Sequence, residues 1–152
     1  MEQSTDAQKG ARKKARVFDL AVMERVPVAD LIGFRVTEAK DGRAIATLEA
    51  TEKHANPMGT LHGGILCDVA DAAMGMAFAS TLGEEETFTT LELKINFFRP
   101  VWNAKLTAEA QVIHRGKTLG YVECEVRDEN NKLIAKTSST CLALNATKGA
   151  GR

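Results

Sequence analysis

The sequence predicts an α+β domain in which an antiparallel sheet curls around one long helix. Three observations predict it: a run of small and apolar residues from about Gly64 to Leu82, two strand-like segments before it, and four after it. With 152 residues, 44% of them hydrophobic and 26% charged, the chain is long enough for one core and leaves no room for a second domain.

Taken in order, residues 1–16 are polar and carry Lys9, Arg12, Lys13, Lys14 and Arg16, the composition of a flexible basic tail. The domain is expected over residues 17–148, with a second short tail at 149–152. Val17, Phe18, Leu20, Ala21 and Met23 suit a short amphipathic helix that Pro27 ends or redirects, and Val28 to Gly33 suit another helical turn. Phe34–Ala39 and Arg43–Ala50 read as strands joined at Asp41-Gly42, a dipeptide that tolerates the positive φ of a tight hairpin. After a loop at Asn56–Gly64 comes the long helix. Its Ala70, Ala72, Ala73, Gly75, Ala77 and Ala79 would let another backbone come close. Strands follow near Thr87–Phe98, Lys105–His114, Gly120–Asp128 and Leu133–Leu144. In the third of these, Val122, Cys124 and Val126 alternate with Tyr121, Glu123, Glu125 and Arg127, so one face is buried.

The 20 basic and 20 acidic residues cancel, which removes any net pull toward nucleic acid or an anionic membrane. No segment approaches a spanning helix and the polar N-terminus lacks an apolar signal core, so a cytoplasmic protein is expected. Cys67, Cys124 and Cys141 are odd in number and set in apolar patterns, as reduced packing residues are. His54 and His62 do not form a zinc spacing, and no metal is expected.

The long helix carries Asp68 and Asp71, three residues apart on one face with Gly75 and Phe78, where only core is expected. Burying ionised carboxylates without partners costs several kcal/mol, so the pair marks a polar cavity, and mutual repulsion would raise one pKa toward that of a general base. His62-Gly63-Gly64 stands just before the helix, where the first N–H groups are unpaired and the dipole end is positive; this is an oxyanion hole in outline. The same tripeptide occurs in oxyanion loops of α/β-hydrolases, but their G-x-S-x-G elbow is missing here. Cys67 beside His62 is a poor nucleophile, lying among apolar residues.

These residues resemble the hotdog-fold acyl-CoA thioesterases, specifically the PaaI-like, phenylacetate-degradation type. The resemblance rests on Asn56-Pro57-Met58-Gly59-Thr60-Leu61-His62-Gly63-Gly64, on an acidic residue nine positions after His62, and on Thr90-Leu91-Glu92-Leu93-Lys94-Ile95-Asn96-Phe97-Phe98-Arg99-Pro100. It implies that Asp71 is the catalytic carboxylate, activating water or attacking the thioester directly. Gly63 would donate its N–H to the thioester oxygen, with Gly64 beside it. Asn56 and His62 would orient the substrate, and Thr90 would help hold the water. The position where some relatives carry a serine or threonine one turn after the carboxylate is Gly75 here. No cofactor is implied, coenzyme A being part of the substrate, whose phosphates Arg99, Arg115 and Lys117 are placed to meet. Two other readings stay open: an acyl-CoA-binding module without hydrolysis, and a hydratase or dehydratase using an Asp–His pair.

Gly63 and Asp71 lie eight residues apart, about 12 Å along a helix, too far to serve one reacting carbonyl. Two antiparallel helices related by a two-fold axis would bring one subunit's Gly63 to the other's Asp71. A homodimer is therefore expected, extended by the resemblance to a dimer of dimers.

Overall fold

The computed structural model describes residues 26–146. The basic tail, the expected helix at Val17–Met23 and the C-terminal tail lie outside them. The described elements are α1 (Pro27–Ile32), β1 (Arg35–Lys40), β2 (Arg43–Ala50), a 3-10 turn (Glu52–His54), α2 (Gly63–Ala79), β3 (Glu86–Phe97), β4 (Ala104–Arg115), β5 (Leu119–Asp128) and β6 (Leu133–Asn145). All strand pairings are antiparallel, in a six-stranded sheet ordered β1-β2-β4-β5-β6-β3.

Local chemistry accounts for the element boundaries. The helical turn expected from Val28 to Gly33 is α1, and Pro27 opens it, because the N–H it lacks is one that a first-turn residue cannot pair within the helix. Gly33 closes that helix in the left-handed region at φ 94°. The β1–β2 hairpin turns at Asp41 and Gly42, with φ of 51° and 79°, as the dipeptide predicts. α2 stops at Ala79, three residues short of the expected Leu82. The hydroxyls of Ser80 and Thr81 there bond back to the carbonyls of Ala77 and Phe78 at 2.7 Å each, so side chains satisfy acceptors that another turn would have used.

The sheet wraps α2, which touches all six strands. Val69, Ala70, Ala73, Met74, Ala77 and Phe78 are completely buried on the wrapped side. Beneath them the pairs Ala44↔Ala110 and Ala46↔Ala108 present equally buried methyls from β2 and β4. Alanine on both sides lets helix and sheet approach closely, and full burial of such surface supplies the main stabilisation, about 25 cal/mol per Å² of apolar area. The backbone that the helix alanines admit is thus the sheet's own.

Two edges remain. β1 ends one side, and β3 ends the other with β6 as its single neighbour. β3 has a bulge between Thr90 and Glu92, which leaves Leu91 outside the ladder. Before the bulge, Phe88 and Thr90 pair with the buried Ala143 and Cys141; after it, Leu93, Ile95 and Phe97 pair with the buried Ser139, Thr137 and Ala135. One extra residue therefore moves the inward set from even to odd numbers, so that Leu93, Ile95 and Phe97, instead of Glu92, Lys94 and Asn96, face α2.

Candidate active site

The loop leading into α2 is shaped by Asn56. Its Oδ1 accepts the N–H groups of Met58 and Thr60 at 2.9 and 3.2 Å, and its Nδ2 donates to Thr60 Oγ1 at 2.9 Å. The main chain adds Asn56 N–H to Thr60 O at 2.7 Å and Gly59 N–H to Asn56 O at 2.9 Å. Asn56 thus spends its amide on a tight turn, and that turn delivers His62 to the helix start.

His62 is the N-cap of α2. Its Nδ1 accepts the Gly64 N–H at 2.9 Å, which requires the proton of the neutral ring to sit on Nε2. The His62 N–H is bonded to His54 O at 2.8 Å, and the Ile65 N–H to His62 O at 3.0 Å. His54 is itself held at both ring nitrogens, by the Thr51 N–H at 3.1 Å and Ile32 O at 2.7 Å. Among the described residues, no hydrogen-bond acceptor meets the Gly63 N–H. It carries the positive end of a helix 17 residues long. The Phe97 ring lies directly against it: a Cβ on Gly63 would come within 2.8 Å of Phe97 Cζ.

Two turns further, Asp71 Oδ1 accepts a hydrogen bond from Thr90 Oγ1 at 3.2 Å. The expectation of two buried carboxylates is corrected here. Asp68 and Asp71 are both exposed, because β3 is the edge of the described sheet and no described strand lies beyond it to cover this side of α2. The two still differ. Asp68 makes no hydrogen bond or ion pair with any described residue, whereas Asp71 is flanked by α2 and β3. Loss of hydration between them raises the Asp71 carboxyl above its ordinary value; the Thr90 hydrogen bond opposes the rise and the neighbouring Asp68 charge adds to it. A carboxylate can show an edge to solvent and still be poorly hydrated when protein flanks it.

The cysteines are not poised for nucleophilic work. Burial first, then the charges of Asp68 and Asp71, hold the half-buried Cys67 thiol in its protonated form. Burial pushes the Cys124 thiol up to about 12, and raises Cys141 as well. Among the described residues, no group of three or more His, Cys, Asp and Glu side chains is arranged to hold a metal ion. No described helix is long and apolar enough to cross a membrane.

The three basic candidates do not converge within one chain. Arg99 is exposed in the turn after β3, near the start of α2, where Val101 O accepts the Leu61 N–H. Lys117 is exposed in the β4–β5 turn, beyond the far end of the helix. Arg115 is the last residue of β4 and faces inward: its guanidinium sits 4.9 Å from the centre of the Phe78 ring, donates to Gly116 O and lies 3.5 Å from Glu86. Sequence reasoning missed the two rings that touch the site's glycines, Phe97 on Gly63 and Phe88 on Gly75. Counting by twos along β3 from Thr90 finds Phe88, but the bulge hides Phe97 from that count.

Residues 58–135 match the pattern of the thioesterase superfamily. The 1,4-dihydroxy-2-naphthoyl-CoA hydrolase of Listeria monocytogenes is 32% identical over 73% of this chain and 90% of its own length. Among solved structures, thioesterase HI1161 of Haemophilus influenzae superposes with a TM-score of 0.79 at 25% identity, covering 88% of this chain and 94% of that one. The PaaI protein of the Escherichia coli phenylacetic acid degradation operon gives 0.76 at 28% identity, covering 82% and 89%. The chain belongs to the thioesterase superfamily, its curled sheet and single long helix are the hotdog fold, and it is a thioester hydrolase by class.

Proposed function

We propose that the chain hydrolyses an acyl-CoA thioester to the free acid and coenzyme A, with Asp71 as the general base. The observation that carries this reading is the Asp71–Thr90 pair, in which the threonine hydroxyl occupies Oδ1 and leaves Oδ2 free for water. Asp71 takes a proton from that water as its oxygen adds to the thioester carbon. The carbonyl oxygen gains negative charge, and a fixed N–H donor such as Gly63 stabilises it by about 3–4 kcal/mol. Collapse of the adduct breaks the C–S bond, and the proton held by Asp71 is available to the departing thiolate. No cofactor enters this sequence. A raised carboxyl pKa suits the role, since a base is more effective when its pKa lies nearer the working pH.

Asp71 and Gly63 of one α2 remain about 12 Å apart along the helix axis. The site we propose is therefore completed by a second copy, whose Gly63 approaches Asp71 across a two-fold axis, giving two equivalent sites per dimer and, in a dimer of dimers, four. Among the described residues β3 is an edge strand lying beside Asp71, and the same strand of a partner could add to it there. Arg99 and Lys117, separated within one chain, would meet coenzyme A phosphates from different subunits.

The test is release of free thiol from a panel of acyl-CoAs, run beside an enoyl-CoA hydration assay. Thiol release that disappears in Asp71→Asn is expected. Hydration without thiol release, or binding without either, would replace the proposal with one of its alternatives. Mixing inactive Asp71→Asn with a loop-disrupted Asn56→Ala chain tests the sharing. After subunit exchange, activity is expected to return toward about a quarter of the parent's, since half of the dimers are then mixed and each has one intact site. Verified exchange without any return places the whole site in one chain.

A further inference from the structure

Two aromatic rings bracket the Asp71–Thr90 pair in the groove between α2 and β3. Phe97 lies on Gly63, toward the start of the helix. Phe88 lies on Gly75, one helical turn beyond Asp71, with its ring so close that a Cβ on Gly75 would stand 3.2 Å from Phe88 Cζ. Because residue 75 has no side chain, the ring rests on the helix backbone itself.

The chemistry of the groove gives it a direction. From Asp71 toward the helix start come first the exposed Asp68 carboxylate and then the His62 and Phe97 rings. From Asp71 toward the helix end come Ala72, Gly75, Phe88 and Phe78, all apolar. A hydrocarbon chain attached to a carbonyl at Asp71 gains by burial in the second direction and would meet a hydrated carboxylate in the first. In that second direction Phe88 blocks it, about 6 Å along the helix from Asp71.

The block is backed from behind. Phe88 meets Phe78 edge to face, with ring centres 5.7 Å apart at 66°, and Phe78 is completely buried. The Arg115 guanidinium covers Phe78 in turn, and Glu86 stands beside that guanidinium. Phe88 cannot retreat without displacing a packed ring.

Resting on the hydrolase reading above, we infer that Phe88, seated on Gly75, is a specificity-determining residue that limits the enzyme to short acyl groups. The experiment compares kcat/KM for acetyl-, butyryl-, hexanoyl- and decanoyl-CoA in the parent, Phe88→Ala, Phe88→Leu and Gly75→Ala. It also measures by calorimetry the binding of the corresponding non-cleavable S-alkyl thioethers of coenzyme A. The parent is expected to favour the shorter groups. Shortening Phe88 is expected to raise the decanoyl-to-butyryl ratio by about tenfold, the factor that two newly buried methylenes supply. Gly75→Ala forces the ring to shift off the helix backbone by a few tenths of an ångström and is expected to change the hexanoyl-to-acetyl ratio.

A parent that prefers decanoyl-CoA overturns the inference, as does an unchanged ratio in Phe88→Leu and Gly75→Ala, which keep a filled core if Phe88→Ala fails to fold. The thioethers separate the two claims. A parent that binds short thioethers but cleaves no thioester refutes the hydrolase reading, and the length limit is then decided by the binding series. A parent that binds none of them overturns both.

Discussion

The two halves of α2 are built from similar residues and meet opposite fates. From Ala73 to Ala79 every residue is buried; from Gly63 to Ala72 only Leu66, Val69 and Ala70 are, while Asp68 and Asp71 are exposed. Small side chains fill both halves, so composition does not separate them. Their neighbours do. The C-terminal half is enclosed all round, whereas the N-terminal half, with β3 alongside it, keeps one side open where β3 is the edge of the described sheet. One half is packed into the core and the other carries the carboxylates of the proposed site, and a substitution reports on whichever half it strikes.

The largest expected effect tests that division in the open half. Asp71→Asn should lower kcat by about 10²–10⁴-fold, the usual contribution of a positioned base, and leave the unfolding midpoint no lower. Asp68→Asn, three residues away, should cost less than about tenfold, since a nearby charge without hydrogen-bond partners acts only at a distance. Steady-state rates with thermal unfolding of each variant decide it. Equal losses from the two would erase the distinction between a held carboxylate and an unheld one.

In the closed half the expectation reverses. Met74 is fully buried and its sulfur lies 3.4 Å from Thr137 Oγ1. Met74→Ala should destabilise the protein by about 2–5 kcal/mol. Denaturant unfolding measures this, and turnover per folded molecule at low temperature should stay close to the parent's.

The third effect sharpens the chemistry of the open half. Asp71 must be ionised to act, so kcat/KM should fall as pH drops through its raised pKa, with an inflection above the ordinary 3.8. The Thr90 hydrogen bond holds that pKa down. Thr90→Val should therefore move the inflection to higher pH and lower the plateau, by about tenfold if the lost bond to a charged group is worth near 1.5 kcal/mol. An inflection that stays in place detaches Thr90 from the base.

The smallest effect concerns stability and follows from the same shift. A carboxyl whose pKa is raised by folding favours the native state at acid pH, and that benefit is lost as pH rises through the raised value. Asp71→Asn should thus unfold slightly later than the parent at neutral pH, with the gap closing below the ordinary carboxylate pKa. Exposure of the group keeps the gap small. Parallel melting curves at the two pH values provide the check.

Much of this was legible in the sequence, and the failures have physical causes. The Asp41-Gly42 hairpin, the alternation in β5 and the apolar length of α2 were readable because each depends on residues close in the chain. The turn at Val28–Gly33 was readable for the same reason, since Pro27 and Gly33 mark its two ends. The carboxylates were assigned to a buried face because periodicity shows that a helix is apolar and does not show where the covering sheet stops. The bulge at Leu91 was invisible for a related reason. Leu91 carries no turn signal, and the shift arises from pairing with β6, a strand distant in sequence. Asp71 and Thr90, singled out from the motif, do meet in the fold, but the rings on Gly63 and Gly75 emerge only when β3 lies along α2.

The strand order also sets a sequence in time. β3 has β6 as its neighbour, with Thr90 opposite Cys141, although β4 and β5 lie between them in the chain. As the chain leaves the ribosome, α2 and β3 emerge well before the strand that will fix them. Closing so long a loop is slow, and β3 waits meanwhile as an unpaired segment. The hydroxyl that meets Asp71 is therefore delivered late, after β6 has been synthesised, so the Asp71–Thr90 pair forms only when the fold is nearly complete.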